Sequence, residues 1–292
     1  DGRFDDNIND ETRFFTHSTG KSIVSYIVGH AICEGYISSI DEIIDWPLMS
    51  ETLYQGQKLR DLLNMRAGDR HTVNKGSSRI KGYKVHHRDM NLEQIATLLK
   101  GTKKRGNGVF YNNILTDIIA NYIAFKSGDN YDQLMRSVFQ NKVKIKYPIS
   151  YEKHSKLLGR GPSTEASYSY HMTRTDFLRV AVAMMKDYQN QTCVGKYLKK
   201  IQEQALSWYK YGPYKKNGRI YFSRSSKKYG GQFYFDFNGM SNRNVFGTNG
   251  YNNQNMLIDM DNSRIIVTNS AATGSDLHVL MFNPIREGVL PK

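Results

Sequence analysis

Apolar residues recur at helical spacing near the start of the chain and in several later stretches. The first set falls on one face of a helix, at positions Ile23, Val24, Ile27, Val28, Ala31 and Ile32. Gly35 stands where helices commonly end in a glycine, so this helix is predicted to end near Glu34. Similar spacing predicts helices over residues 58–65, 91–100, 112–126, 131–138 and 175–188.

The pattern changes after residue 209, where apolar residues begin to alternate with polar ones. This alternation predicts strands over residues 232–238, 255–260 and 264–268, with a tight turn at 261–263 and a closing helix over 276–282. Helices followed by a run of antiparallel strands indicate an α+β fold. We expect a single domain over residues 1–292, with a helical subdomain over roughly 36–210 and sheet-forming strands over roughly 218–270.

Charge and length narrow the possible functions. The 292 residues allow an ample core, and no stretch approaches the about 18 apolar residues of a membrane span. The net charge of +14 and the basic doublets at 215–216 and 227–228 raise the possibility of nucleic acid binding. Zinc-finger spacing, an RNP pattern and a recognisable helix-turn-helix are all missing from the sequence. We therefore interpret the charge as a solvated surface and expect no nucleic acid partner.

The chain has two cysteines, Cys33 and Cys193, too few for a disulfide framework. Cys33 lies beside the apolar face of the first helix and is predicted to be a buried thiol. The sequence shows no leader-like segment at its start, so any targeting peptide is expected to be absent from this chain. An extracytoplasmic location is favoured, although the cysteines leave the redox compartment open.

Ser18 and Lys21 lie three residues apart at the start of the first predicted helix, and so on one face. A serine hydroxyl is a weak nucleophile until a base takes its proton, and a lysine can be that base when burial lowers its pKa. The alternative is that Ser18 only caps the helix and that Lys21 is a solvated side chain.

Two further segments carry polar groups that could join this pair. Tyr111 and Asn113 open the helix predicted over 112–126, and residues 247–250, Gly-Thr-Asn-Gly, end a strand before the last hairpin. Each has an ordinary interpretation as well: a packed ring with a capping amide, and a turn or bulge.

The order and spacing of these three segments resemble the motifs of the serine β-lactamase and penicillin-binding-protein superfamily. Within it, the chain is most similar to the class C β-lactamase-like branch, which includes esterases and 6-aminohexanoate-dimer hydrolases. Other segments share the resemblance, which runs from about Phe15 to Ser270: residues 22–37, 59–68, 110–113 and 172–180.

The resemblance implies an antiparallel sheet flanked by helices, and a serine hydrolase that forms an acyl-enzyme on a small ester or amide. It implies that Ser18 attacks the carbonyl with help from Lys21, while Tyr111 relays the proton. The backbone N–H groups of Ser18 and Tyr251 would form the oxyanion hole, and Asn113 would hydrogen-bond Lys21 or the substrate. The family chemistry requires neither a metal nor an organic cofactor.

Two departures from the family pattern stand out. Only 17 residues precede Ser18, where the family has several dozen that include two strands of the sheet. In the third motif, Thr248 occupies the position of the usual Lys or His, followed by Asn249 and Gly250. These residues are expected to bind substrate, but without a cation for a substrate carboxylate. Both departures favour the rival hypothesis of a non-catalytic or slowly acylating binding protein. The sequence does not indicate the oligomeric state.

Overall fold

A computed structural model describes residues 8–74, 79–84, 92–151, 169–207, 215–216, 219–220, 222, 225–270 and 277–289. The helices in these ranges are α1 Thr19–Cys33, α2 Leu59–Leu63, α3 Leu92–Leu99, α4 Ile114–Ser127, α5 Tyr131–Arg136, α6 Arg174–Gln189, α7 Cys193–Glu203 and α8 Asn283–Glu287. The strands are β1 Arg13–Phe15, β2 Val73–Asn74, β3 Arg79–Ile80, β4 Tyr83–Lys84, β5 Ser150–Tyr151, β6 Tyr170–Thr173, β7 Leu206–Ser207, β8 Lys215–Lys216, β9 Arg219–Ile220, β10 Ser226–Gly230, β11 Phe233–Phe237, β12 Val245–Gly250, β13 Gln254–Asp259 and β14 Arg264–Thr268.

The main sheet is antiparallel, with strands in the order β14-β13-β12-β11-β10-β7. Helix α1 packs on β12 and β13, and α6 packs on β13 and β14. The sheet face is rich in aromatic rings, such as Phe246, whose ring centroid lies 4.8 Å from that of Phe235. An antiparallel sheet covered by helices confirms the α+β prediction.

Helix α1 is buried along almost its whole length, including polar residues at its start. It lies against the sheet on one side and against α4 and α7 on others. Gly29 permits the approach of α7, because a Cβ there would lie 2.7 Å from the Tyr197 ring. Polar groups at the start of α1 are therefore held inside the protein, where burial can change their pKa values.

The two cysteines form a disulfide, so the prediction of a buried Cys33 thiol is wrong. Cys33 is the last residue of α1 and Cys193 is the first of α7, and their Cα atoms lie 5.9 Å apart. The sequence analysis treated each cysteine separately and did not predict α7. The side-by-side packing of α1 and α7 is what brings the two together.

Most predicted helices and strands are present with bounds shifted by a few residues. The closing helix differs from its prediction, and other elements, among them α7, β1, β6 and β10, were not predicted from the sequence. In the predicted range 276–282, a wide helical turn runs over His278–Phe282, and α8 follows it. No helix within the described ranges is long and apolar enough to cross a membrane.

A small sheet with the order β1-β6-β5 sets the approach to the candidate nucleophile. Phe15 of β1 pairs with His171 of β6. One residue later, the Thr16 N–H donates to the Tyr170 carbonyl (2.8 Å), and the Tyr170 N–H donates to Thr16 Oγ1 (2.9 Å). Two hydrogen bonds to Tyr170 therefore fix the chain two residues before Ser18.

Candidate active site

A sharp change of backbone direction places Ser18 at the start of α1. His17 has a φ of 47°, in the left-handed region, and Ser18 returns to helical geometry with a φ of −66°. A non-glycine residue in the left-handed region costs about 1–2 kcal/mol, and such strain is kept where the surroundings impose it. Here two constraints impose the left-handed backbone of His17. Thr16 pairs with Tyr170 before it, and α1 begins directly after Ser18.

Lys21 is buried, with 1% of its surface exposed, and its Nζ donates a hydrogen bond to Ser18 Oγ at 3.1 Å. Burial lowers the pKa of Lys21 to about 7, and the negative charge of Asp117 acts in the opposite direction. A lysine with this pKa is present in large part as a neutral amine at neutral pH. It can therefore accept the serine proton.

Tyr111 is partly buried beside this pair. Its hydroxyl shares a hydrogen bond with the Ser18 side chain, and its ring centroid lies 5.2 Å from Lys21 Nζ. Burial raises the pKa of Tyr111 to about 12, against the weaker effect of the Ser18 hydrogen bond. Tyr111 therefore stays protonated at neutral pH and can pass a proton on. The structure brings Ser18, Lys21 and Tyr111 together.

Asn113 stands at the N-cap position of α4, but its side chain does not cap the helix. Its backbone carbonyl accepts from the Thr116 and Asp117 N–H groups. The capping contact comes instead from Asn112, whose Oδ1 accepts from the Leu115 N–H at 3.2 Å. The Asn113 amide is thus left out of the cap, two residues from Tyr111.

The end of β12 lies directly beside the chain that leads to Ser18. At Gly250 a Cβ would lie 2.6 Å from the Thr16 carbonyl oxygen, so a larger residue would push the strand away. The next residue, Tyr251, is 68% exposed, and its ring centroid lies 5.5 Å from that of His17. The segments that carry Ser18 and Tyr251 are therefore neighbours.

Thr248 and Asn249 are held by contacts within the protein. Thr248 has no exposed surface; its Oγ1 donates to Thr19 Oγ1 (3.3 Å) and accepts from the Met256 N–H (3.0 Å). Asn249 Nδ2 donates to Asn255 Oδ1 at 2.6 Å. The expectation that Thr248 faces a ligand does not match this placement, because its hydroxyl joins β12 to α1 and β13.

Comparison with solved structures supplies the fold. The chain is similar to a protein of Bacillus anthracis assigned as a 6-aminohexanoate-dimer hydrolase (17% identity, TM-score 0.63, covering 99% of this chain and 77% of that one). It is also similar to a class C β-lactamase of Rhodobacter sphaeroides (13% identity, TM-score 0.58, covering 92% of this chain and 83% of that one). A third similar structure is an octameric penicillin-binding protein homologue of Pyrococcus abyssi (14% identity, TM-score 0.64, covering 97% of this chain and 68% of that one). The chain has the fold of the serine β-lactamases and penicillin-binding proteins. No protein-family model and no curated protein matches the sequence.

Asp117 is a residue of this candidate site that was not predicted from the sequence. It lies on α4, is 5% exposed, and its charge raises the pKa of Lys21 against the effect of burial. A signal was present in the sequence: Asp117 is an acidic residue four positions after Asn113, among the apolar residues that begin this helix. A buried acid on such a face usually has a partner of opposite charge.

A row of aromatic rings lies beside Ser18 on its β1 side. The rings of His171, Phe15, His17 and Tyr251 follow one another, with centroid distances of 4.8, 4.6 and 5.5 Å, each pair edge to face. His17 places this row directly before Ser18 in the chain. Among the described residues, no cluster of three or more His, Cys, Asp or Glu side chains could hold a metal ion.

Proposed function

We propose that the protein is a serine hydrolase that cleaves a small ester or amide through an acyl-enzyme on Ser18. The hydrogen bond between Lys21 Nζ and Ser18 Oγ, at 3.1 Å in a buried site, is the observation that carries the proposal. The hydrogen bond between Ser18 and Tyr111 supports it, because a relay needs both groups at the same oxygen.

The reaction would proceed in two halves. Ser18 Oγ forms a bond to the substrate carbonyl carbon while its proton passes to the neutral amine of Lys21. As the tetrahedral intermediate collapses, the leaving oxygen or nitrogen takes a proton through Tyr111, which recovers one from Lys21. Water then attacks the acyl-enzyme, gives its proton to the same pair, and the serine leaves as the hydroxyl.

The oxyanion would be stabilised by the backbone N–H groups of Ser18 and Tyr251. Support comes from the close approach of Gly250 to Thr16, which brings the two segments within contact of each other. Hydrogen-bond donors fixed in place before the reaction stabilise the developing charge without reorganisation. Removal of one such donor typically costs about 10²–10³ in kcat.

The proposed substrate class is a neutral or cationic ester or short amide. A β-lactam or a peptidoglycan stem carries a carboxylate, which the superfamily usually pairs with a Lys or His. Thr248 brings no charge to that position and is fully buried. A charge-assisted hydrogen bond is about twice as strong as a neutral one, so acids should bind more weakly here.

The test is to compare kcat/KM for a short-chain p-nitrophenyl ester with that for a chromogenic cephalosporin on one preparation. We expect the ester to be the better substrate, and Ser18→Ala to abolish its turnover. A marked preference for the cephalosporin would overturn the substrate class. Ester turnover that survives in Ser18→Ala would overturn the proposed mechanism.

A binding protein on the same fold is the second candidate, favoured by the uncharged and buried Thr248. It would acylate slowly or only bind its ligand. A single stoichiometric burst of p-nitrophenol from the wild-type protein, with no steady-state release, would favour this candidate.

A further inference from the structure

Asp69 is a completely buried carboxyl group close to the segment that carries Tyr111. Its Oδ2 accepts two hydrogen bonds of 2.9 Å, one from the Tyr54 hydroxyl and one from Asn112 Nδ2. Burial of a carboxyl group costs several kcal/mol unless its oxygens are paired. One partner of Asp69 is Asn112, the residue next to Tyr111, so this hydrogen bond ties the buried carboxyl group to the segment that carries Tyr111.

Asn112, the middle residue of the Tyr-x-Asn motif, uses both ends of its amide. Its Nδ2 donates to Asp69 and, at 3.4 Å, to the Phe110 carbonyl, while its Oδ1 caps α4 at the Leu115 N–H. The side chain has no exposed surface. Asn112 therefore joins the buried carboxyl group to the first turn of α4 and to the turn that presents Tyr111.

Residues 102–112 contain no helix or strand, so contacts with other parts of the protein must hold them. The Arg105 N–H donates to the Gly68 carbonyl at 2.8 Å, and the Phe110 N–H donates to the Met65 carbonyl at 2.7 Å. Gly68 has a φ of 69°, and a Cβ there would lie 2.6 Å from the Gly106 carbonyl oxygen. The segment therefore lies directly on residues 65–69, and Asp69 is the side-chain anchor at the end nearer Tyr111.

We propose that Asp69 is a positioning residue: through Asn112 it holds the Tyr111 hydroxyl at Ser18. The catalytic consequence rests on the proposed function, but the placement of the segment does not. A displacement of about 1 Å in a catalytic group can cost about 100-fold in rate. Tyr54 helps to hold the Asp69 side chain in place, because its hydroxyl donates the other hydrogen bond to Asp69 Oδ2.

The variants that test this remove or keep the acceptor at Asp69 Oδ2. Asp69→Ala removes the acceptor of both hydrogen bonds, and Asn112→Asp replaces the donor by a second carboxyl group while an oxygen remains to cap α4. Asp69→Asn is the conservative variant, because one amide oxygen in the place of Oδ2 can accept from both Tyr54 and Asn112. Asp259→Ala is the matched control, because Asp259 is equally buried but pairs with Arg243 at the far end of β13.

Asp69→Ala and Asn112→Asp are each expected to lower the rate of Ser18 acylation by about 10- to 100-fold with little change in KM, as displacement of a catalytic group would. Asp69→Asn should keep most of the wild-type rate. Asp259→Ala should lower thermal stability but leave the acylation rate within about twofold, because distant sites act independently. Acylation that is unchanged in folded Asp69→Ala and Asn112→Asp, or that falls as far in folded Asp69→Asn as in Asp69→Ala, would overturn the proposal.

Amide hydrogen exchange of the peptide covering residues 105–113 gives a readout without activity. Exchange should be faster in Asp69→Ala and Asn112→Asp and close to the wild-type rate in Asp69→Asn. Unchanged exchange in the first two variants would overturn the proposal even if activity fell. If wild-type Ser18 is not acylated at all, the proposed function fails, and this measurement still decides whether Asp69 holds the segment.

Discussion

At the scale of single residues, the pKa of Lys21 gives the reaction its pH dependence. The base must be neutral to take the serine proton, and burial lowers the pKa of Lys21 to about 7. The acylation rate should therefore rise with pH through a midpoint near 7 and fall away below it. Lys21→Ala should lose about 10²–10⁴ in rate while staying folded. A rate independent of pH between 5 and 9, or an active Lys21→Ala, would show that another group is the base.

Asp117 should set where that midpoint lies. Its negative charge raises the pKa of Lys21, so Asp117→Asn, which keeps the shape of the side chain, should move the midpoint of the rate profile below the wild-type value. The profile is to be measured as kcat/KM on a neutral ester, whose own charge does not change. A midpoint that stays in place or moves upward would show that Asp117 does not act on Lys21.

The sequence predicted that Lys21 and Tyr111 lie beside Ser18, but not what holds them there. Ser18 and Lys21 are three positions apart, and helical geometry alone brings them together. The position of Tyr111 came from the order of motifs in a known superfamily. Asp69 and Asn112 could not be found in the same way, because their contact joins residues 43 positions apart through an irregular segment. Thr248 was misplaced for a related reason: its hydroxyl faces Thr19, which only the packing of β12 on α1 reveals.

At the scale of elements, the contact between β12 and the β1–α1 connection should control the rate. Gly250 has a φ of −118°, which other residues adopt readily, so the effect of Gly250→Ala is steric: its Cβ would lie 2.6 Å from the Thr16 carbonyl oxygen. We expect kcat/KM to fall about 10- to 100-fold as the end of β12 moves away from Ser18.

Gly108→Ala is the matched control for this substitution. Gly108 lies three residues from Tyr111, but nothing lies within 4 Å of its added Cβ. Its activity should stay within about twofold of wild type, as surface substitutions away from special features usually do little. Equal activity in Gly250→Ala and the wild type would mean that the strand does not contribute to the site.

The elements differ in how strongly the sequence specifies them. Strands β13 and β14 have alternating or continuous apolar residues and were predicted. Strand β12 contains two glycines, a threonine and an asparagine, and its place in the sheet depends on packing: at Gly247 a Cβ would lie 2.2 Å from the Phe237 ring. Helix α7 carries apolar residues at helical spacing, Val194, Leu198 and Ile201, and this signal was overlooked.

At the scale of the whole molecule, the disulfide between Cys33 and Cys193 closes a loop across more than half of the chain. We expect its removal, in Cys33→Ser/Cys193→Ser, to lower the free energy of unfolding by about 2–4 kcal/mol, because the unfolded chain gains freedom. The measurement is the urea concentration at the midpoint of unfolding, for the variant and for the wild type with and without a reductant. An unfolding midpoint that is the same in the variant and the wild type would contradict the disulfide.

The same bond bears on where the protein works. Disulfides persist in oxidising environments, so we expect the bond between α1 and α7 to be kept where the surroundings are oxidising. The antiparallel sheet and its covering helices followed from the change of periodicity along the sequence. The disulfide did not follow from it, because it depends on how two distant helices lie side by side.

The most direct measurement of the central claim is the site of covalent modification by a fluorophosphonate, located by mass spectrometry. We predict one adduct, on Ser18, formed more slowly below pH 7 as Lys21 becomes protonated. It should be lost in Ser18→Ala and kept in Ser22→Ala, where the hydroxyl removed lies on the same helix and donates to the Gln232 carbonyl. An adduct on another serine, or none on the folded wild-type protein, would contradict the assignment of Ser18 as the nucleophile.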